Sequence, residues 1–177
     1  KAFIPFYKYY TSKSDVMNAI YAVDKEYQTG SKFLYSDLNA ILLGEIVERI
    51  TGKSLDQYCN EIIFTPLKMT NTFFNPENKS RALPTENDTY WRNRLLQGEV
   101  HDENTWSLGG VAPHAGLFGP HEDLSKWGLM LRKAFRGERS SFVAKPAVVR
   151  EFVARAVPKS VGDLAHGFLL PSKGRAS

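Results

Sequence analysis

Apolar residues recur every three or four positions between residues 38 and 50, and this spacing predicts a long amphipathic helix. Ser36 or Asp37 opens the helix. Gly52 ends it, because glycine readily takes the left-handed conformation that terminates many helices. The residues expected on its apolar face are Leu38, Ile41, Leu42, Ile46 and Ile50.

Capping motifs mark two further helices on either side of this one. Ser12, with Asp15 three residues later, opens a helix of two to three turns. Ser54, with Gln57 in the capping-box position, opens another helix that Pro66 ends. Only a short link separates this helix from the long one before it, so the two are expected to form an αα-hairpin.

Two prolines open helices in the second half of the chain, since proline is favoured at the first helical position. Pro120 begins a helix that Gly137 ends, and Pro146 begins another. The apolar stripe of the first is expected to contain Leu124, Trp127, Gly128, Leu131 and Phe135. That of the second contains Val148, Val149, Phe152 and Val153.

Two stretches lack a helical pattern. Residues 75–115 are polar, contain scattered prolines and glycines, and have no sustained period, which predicts a long ordered loop with at most brief strands. Loops of that length within a compact domain are usually functional or disordered. The sequence LAHGFLL at 164–170 predicts a strand, and the chain offers it no evident partner.

Composition excludes several classes of protein. The 177 residues suit about one domain, and a hydrophobic content of 42% is enough for a core. The 23 basic and 19 acidic residues are interspersed, so no nucleic-acid-binding surface is predicted. No apolar stretch approaches the length of a membrane span. The single cysteine, Cys59, excludes an intramolecular disulfide.

The common catalytic motifs are missing from the sequence. It contains no G-x-S-x-G, S-x-x-K, K-T-G or H-E-x-x-H motif and no glycine-rich phosphate loop. Three histidines, His101, His114 and His121, lie close together in sequence among acidic residues. Their spacings of thirteen and seven match no helical pairing of metal ligands, so neither a metal site nor a cofactor is predicted.

Two stretches resemble one known family. The sequence GSKFLYSDLNAILLGEIVERITGKSLDQYCNEIIFTPLKMTNTFF resembles the central segment of the serine penicillin-recognising hydrolases, which include class C β-lactamases, DD-peptidases and related esterases. That family has a Tyr-x-Asn motif before a helix with L-L-G-x-I, followed by T-G-K-S and F-x-P-L-G-M. The second stretch, GEVHDENTWSLGGVAPHAGLFGPHEDLSKWG, resembles the family's G-G-x-x-G-H-A-G-L-F loop and the helix after it.

The resemblance implies roles for four residues. Tyr35 would be the general base or proton relay beside the nucleophilic serine, and Asp37 would contact substrate and the motif lysine. His114 and Gly116 would shape the substrate cleft. A phenol has a pKa near 10, so Tyr35 needs a nearby cation to act as a base. The alternative is structural: Tyr35 packs ahead of the helix and Asp37 caps it.

Three residues depart from the family pattern. Asp37 replaces the usual asparagine, which removes an amide donor and adds a charge. That change disfavours a contact to a β-lactam carbonyl and favours an esterase or a hydrolase of cell-wall peptides. Lys68 and Pro113 stand where the family often has glycine, and Pro113 is expected to stiffen its loop.

The expected fold is mainly α with a few short strands: the helical subdomain of the α/β fold of the β-lactamases and transpeptidases, with most of the antiparallel sheet missing. Residues 1–177 would form one partial domain. It would contain a helical subdomain at 12–74, a cleft-bordering loop at 75–119, helices at 120–157 and the start of a sheet strand at 164–170.

The expected function is that of a fragment of a serine acyl hydrolase. The full-length parent would hydrolyse a small-molecule or peptidoglycan-like acyl substrate through an acyl-serine intermediate, whereas this chain would be inactive alone. Exposed apolar surface would allow dimerisation. Family members commonly act in the periplasm, outside the cell or anchored to a membrane. The alternative is a non-catalytic helical module that binds a ligand or protein through KAFIPFYKYY and the loop around His114.

Overall fold

The computed structural model describes residues 4–138 and 144–171, and these form a mainly helical protein with short strands. The helices are α1 (Lys13–Tyr21), α2 (Asp37–Thr51), α3 (Leu55–Cys59), α4 (Glu103–Ser107), α5 (His121–Phe135) and α6 (Pro146–Val153). The strands are β1 (Phe73–Phe74), β2 (Pro84–Asp88), β3 (Arg94–Gln97) and β4 (Leu117–Phe118). Within the described residues they form two antiparallel pairs, β1 with β4 and β2 with β3. The predicted fold class is confirmed.

The described residues divide into two compact units. The first contains residues 4–26 and 35–123, and the second contains residues 27–34 together with the described residues from 124 to 171. None of the helices in the described part of the chain is long and apolar enough to cross a bilayer.

The core of the first unit forms where α1 and α2 pack together. Its buried residues are Phe6, Val16, Met17, Ile20, Leu38, Ile41, Leu108 and Ala112. Buried Asn104 ties the N-terminal segment to α4, since its side chain accepts a hydrogen bond from Phe6 N and donates one to Ile4 O. Phe6 and Tyr7 are therefore buried. In the KAFIPFYKYY segment, which was predicted as a contact surface of the alternative binding module, Tyr9 remains largely exposed.

Helix α2 has the predicted ends. The Ser36 hydroxyl accepts a hydrogen bond from Leu38 N, and Gly52 has a left-handed φ of 67°. Within its predicted apolar stripe, Leu38 and Ile41 are buried, whereas Ile46 and Ile50 are 50% and 79% exposed. The first half of the helix packs on the core, while the second half leaves its apolar residues in solvent.

Helix α3 begins differently from the prediction. The Ser54 side chain makes no capping hydrogen bond, and Leu55 N instead donates to the Glu48 carboxylate of α2 at 2.9 Å. A side chain from the preceding helix thus satisfies one of the free backbone donors at the start of α3, although this is not a donor that a capping box satisfies. A π-helical turn over Asn60–Phe64 continues α3.

The predicted loop over 75–115 contains more structure than expected. Strands β2 and β3 form a hairpin, and α4 follows. The Asp88 carboxylate, 1% exposed, accepts hydrogen bonds from the backbone N–H groups of Tyr90, Trp91 and Arg92 and pairs with the Arg92 guanidinium at 2.9 Å. The strands PTEND and RLLQ do not alternate between apolar and polar residues, which is why the pattern did not reveal them.

In the second unit, α6 begins at Pro146 as predicted. Helix α5 begins at His121, one residue after Pro120. Its buried apolar residues are Met130 and Ala134, and its buried polar residue is Asp123. In the predicted stripe, Leu124 and Phe135 are 66% and 52% exposed.

The predicted strand at 164–170 was also wrong. These residues contain isolated bridges between Arg155 and Ala165 and between Leu164 and Leu169. The second bridge folds the segment back on itself around Gly167, whose φ is 83°. A turn of this kind breaks the extended backbone that a strand requires.

Candidate active site

Asp37 is the first residue of α2, directly after the capping Ser36. The cap is therefore Ser36, which removes the alternative that Asp37 serves only to cap the helix. The Asp37 side chain is half-buried, and burial raises the pKa of its carboxyl group. The nearby His114 works against that rise in pKa, and Asp102 adds to it.

Asp102 and His114 form a hydrogen-bonded pair beside Asp37. Asp102 caps α4 by accepting a hydrogen bond from Thr105 N at 2.7 Å, and the same carboxylate oxygen lies 3.2 Å from His114 Nε2. The Thr105 hydroxyl is 3.1 Å from this nitrogen. Burial would raise the pKa of Asp102, but the hydrogen bonds from His114 and Thr105 hold it below its usual value.

The His114 imidazole is largely enclosed, with 11% of its side chain exposed. Its other ring nitrogen, Nδ1, is buried and has no hydrogen-bond partner within the described residues. Buried polar atoms normally have partners, so this unsatisfied nitrogen is an exception.

The loop that carries His114 is seated on α2. Pro113 packs so closely on Gly44 that a Cβ at Gly44 would lie 2.4 Å from the proline Cγ. Gly116 has a left-handed φ of 101°, and a Cβ there would lie 2.4 Å from Gly110 O. Helix α2 therefore carries Asp37 at its start and supports the His114 loop further along.

One donor atom from each of Asp37, Asp102 and His114 lies within 4.8 Å of the other two. The sequence pointed to Asp37 and His114 but not to Asp102 or Thr105. The motif Asp-x-x-Thr at 102–105 was the available signal, because aspartate is a common N-cap residue. It was overlooked because the surrounding region had no helical period.

Tyr35 lies two residues before α2, and its side chain is 79% exposed. Its hydroxyl has no hydrogen-bond partner among the described residues. A phenol buried among aliphatic side chains could not exchange a proton with a substrate. The exposure of Tyr35 leaves the predicted proton-relay role open.

A cleft of about 1230 Å³ adjoins the cluster. Asp102 and Gly116 belong to its wall, as do the paired strands β1 and β4. Its lining mixes aromatic and aliphatic side chains with asparagines and carboxylates. Pockets of this composition suit ligands that have both apolar and polar parts.

The mainly helical fold is that of the β-lactamase and penicillin-binding class of proteins. The sequence model of the Beta-lactamase family matches residues 4–168, and the chain belongs to this family of serine hydrolases.

Curated relatives share a substantial part of the sequence. The chain is 37% identical over 134 residues to an N-acetylmuramyl-L-alanine amidase from Bacillus subtilis, a match that covers 67% of this chain and 30% of the relative. It is 40% identical over 129 residues to a protein from Salmonella schwarzengrund named "Putative D-alanyl-D-alanine carboxypeptidase", with 64% and 30% covered. The matched part of the chain thus spans about a third of the length of these relatives.

Solved structures share the fold. FmtA from Staphylococcus aureus superposes with a TM-score of 0.63 at 18% identity, covering 93% of this chain and 44% of the other. The octameric penicillin-binding protein homologue from Pyrococcus abyssi gives a TM-score of 0.57 at 21% identity, covering 83% and 31%. At these identities the likeness concerns the fold alone.

Proposed function

We propose that this chain supplies the tyrosine-bearing, cleft-lining part of a serine acyl hydrolase that works through an acyl-serine intermediate. The observation that carries the proposal is the placement of Tyr35, exposed immediately before the capped start of α2, with Asp37 two residues further on. A proton relay must reach solvent or substrate, and a fixed helix start holds its neighbours in place.

Tyr35 acts as the proton relay in this proposal. A free phenol has a reference pKa of about 10 and is a weak base at neutral pH, so a tyrosine that relays protons requires an adjacent cation. In the family pattern that cation is the lysine of S-x-x-K, a motif that the 177 residues do not contain. The 177 residues alone are therefore expected to be inactive, and activity requires a polypeptide that brings the serine and lysine to Tyr35.

Asp37 shapes the choice of substrate in this proposal. An ionised carboxylate accepts hydrogen bonds and donates none, so it can hold an N–H group or a lysine ammonium but repels a carbonyl oxygen. This favours amide and ester substrates that present a donor near the scissile bond over β-lactams. The names of the Bacillus and Salmonella relatives support a cell-wall peptide or muropeptide as the acyl substrate.

The first test concerns the 177-residue chain by itself. Incubation with nitrocefin, a chromogenic ester and a D-Ala-D-Ala peptide is expected to give no turnover above a blank purified in the same way. Reproducible turnover by the purified chain, or covalent labelling of one of its serines by a fluorescent penicillin, would show that its nucleophile lies within these residues and would overturn the proposal.

The second test uses a longer polypeptide that joins these residues to an S-x-x-K segment and hydrolyses one of the substrates. Tyr35→Phe is expected to lower kcat by about 10²–10⁴-fold, the usual contribution of a general acid or base. The matched control is Tyr9→Phe, because Tyr9 is also largely exposed, at 72%. Equal kcat in the two variants contradicts the role of Tyr35.

A further inference from the structure

We propose that Asp37, Asp102 and His114 form a binding site for a divalent transition-metal ion, with Zn²⁺ the best-fitting candidate. Sequence spacing had argued against a metal because it compared histidines with one another. The structure instead combines one histidine with two carboxylates from separate parts of the chain, with one donor atom of each within 4.8 Å of the others.

The donor set matches the chemistry of zinc. Zinc binds imidazole nitrogen and carboxylate oxygen at about 2.0–2.2 Å, and catalytic zinc sites commonly have three protein ligands and one open position. Ligands around a tetrahedral ion bound at those lengths lie about 3.4 Å apart. The 3.2 Å separation of His114 Nε2 and Asp102 Oδ1 is already close to that spacing.

The charge of the cluster favours a cation. Two carboxylates face a single imidazole, so the cluster is negative even when His114 is protonated. Within the described residues, no lysine or arginine forms an ion pair with Asp37 or Asp102. A bound cation would stabilise both ionised carboxylates, because opposite charges a few ångströms apart attract each other.

The three ligands are held by separate parts of the fold. Asp102 is fixed by its capping hydrogen bond to Thr105 N, and His114 is fixed by the seating of Pro113 on Gly44. Asp37 is anchored at the start of α2. Such support matters because metal affinity depends on ligands held near their final positions.

The position of the cluster also leaves room for a fourth ligand. Asp102 lies in the wall of the cleft, so a water molecule or a polar group of a ligand can reach an ion bound beside it. His114 binds the ion through Nε2, the ring nitrogen beside Asp102 Oδ1, once that nitrogen is unprotonated.

The test is calorimetric titration of the metal-free 177-residue chain with Zn²⁺ at neutral pH. Saturable 1:1 binding with a Kd in the micromolar range or tighter is expected. Binding should weaken as the pH falls, since a metal competes with protons for these ligands. Asp37→Asn is expected to weaken binding at least tenfold, and His114→Gln to abolish it.

Matched controls separate this site from scattered surface ligands. His121→Gln and Asp24→Asn alter exposed residues outside the cluster and should leave the Kd unchanged. Circular dichroism of each variant confirms that it is folded, and Asp37→Asn serves where His114→Gln does not fold. The absence of saturable Zn²⁺ binding, or equal loss of affinity in the control variants, would overturn the proposal.

The test of this inference is separate from the test of the proposed hydrolase function, because its readout is binding and not turnover. Zinc binding combined with unchanged kcat in Tyr35→Phe would sustain the metal site and refute the role of Tyr35. Loss of kcat in Tyr35→Phe without zinc binding would do the reverse.

Discussion

Pro113 packs directly on Gly44, and a single added carbon at Gly44 would come within 2.4 Å of the proline ring. This contact joins the helix that begins at Asp37 to the loop that carries His114. The spacing between these two candidate site residues therefore depends on a glycine in the middle of α2, at a position where a helix by itself would favour alanine.

Gly44→Ala is expected to destabilise the protein by about 1–3 kcal/mol, despite the better helix propensity of alanine, because overpacking displaces the loop. Urea unfolding measures the change. The control is Gly128→Ala in α5, where a Cβ meets nothing within 4 Å. That variant should be stabilised by about 0.5–1 kcal/mol. Similar changes in the free energy of unfolding of the two variants would show that the His114 loop moves away from α2 without destabilising the protein.

Gly116→Ala is expected to be more harmful than Gly109→Ala. Both glycines have a left-handed φ, of 101° and 85°, which costs a non-glycine residue about 1–2 kcal/mol. A Cβ at Gly116 also collides with Gly110 O at 2.4 Å, whereas one at Gly109 meets nothing within 4 Å. Thermal unfolding of the two variants gives the difference, and equal melting temperatures would contradict the close approach.

Lys68→Gly is expected to raise stability by about 1 kcal/mol. Lys68 has a left-handed φ of 56°, a conformation that lysine adopts at a cost and glycine adopts freely. The family's preference for glycine at this position has the same physical basis. Lys32→Gly, at an exposed position without a left-handed φ, should instead reduce stability slightly. A lower melting temperature for Lys68→Gly would refute the expectation.

Asp88 should make the free energy of unfolding depend on pH in the acid range. Burial opposes its charge, but hydrogen bonds from Arg92 and from three backbone N–H groups hold the pKa of Asp88 well below its usual value. The ionised Asp88 carboxylate therefore stabilises the folded state fully above the pKa of aspartate in the unfolded chain, about 4. This stabilisation is lost as the pH falls towards the lower pKa of Asp88 in the folded protein.

Urea titrations at a series of pH values test this dependence. Asp88→Asn is expected to be less stable than the unaltered protein at pH 7, and the gap between them should narrow as the pH falls below about 4. Asp24→Asn provides a control at an exposed carboxylate. A gap between Asp88→Asn and the unaltered protein that stays constant from neutral to acid pH would contradict the assignment.

Local sequence signals predicted helix ends well. Ser12 caps α1 by accepting a hydrogen bond from Asp15 N, and Gly52 ends α2. The apolar pattern did not specify which of its residues are buried, since Ile50 and Phe135 lie in predicted stripes and are exposed. Caps depend on atoms a few residues apart, whereas burial depends on which other element is packed nearby.

For the candidate site, the family resemblance supplied Tyr35, Asp37, His114 and Gly116. It did not reveal Asp102, because the Asp102–His114 hydrogen bond is formed across a turn of irregular chain whose path the pattern does not specify. The β2–β3 hairpin was missed for a related reason. Its turn is organised by the buried Asp88 carboxylate, and polar strands give no alternating signal.

The sequence by itself determined α1, α2, α3, α5 and α6 and the membership of the chain in the Beta-lactamase family, because those features are recorded in residues close together along the chain. Only the tertiary structure decided that Asp37, Asp102 and His114 meet and that Pro113 rests on Gly44. Contacts between distant segments depend on how whole elements pack, and close packing fixes them to within a fraction of an ångström.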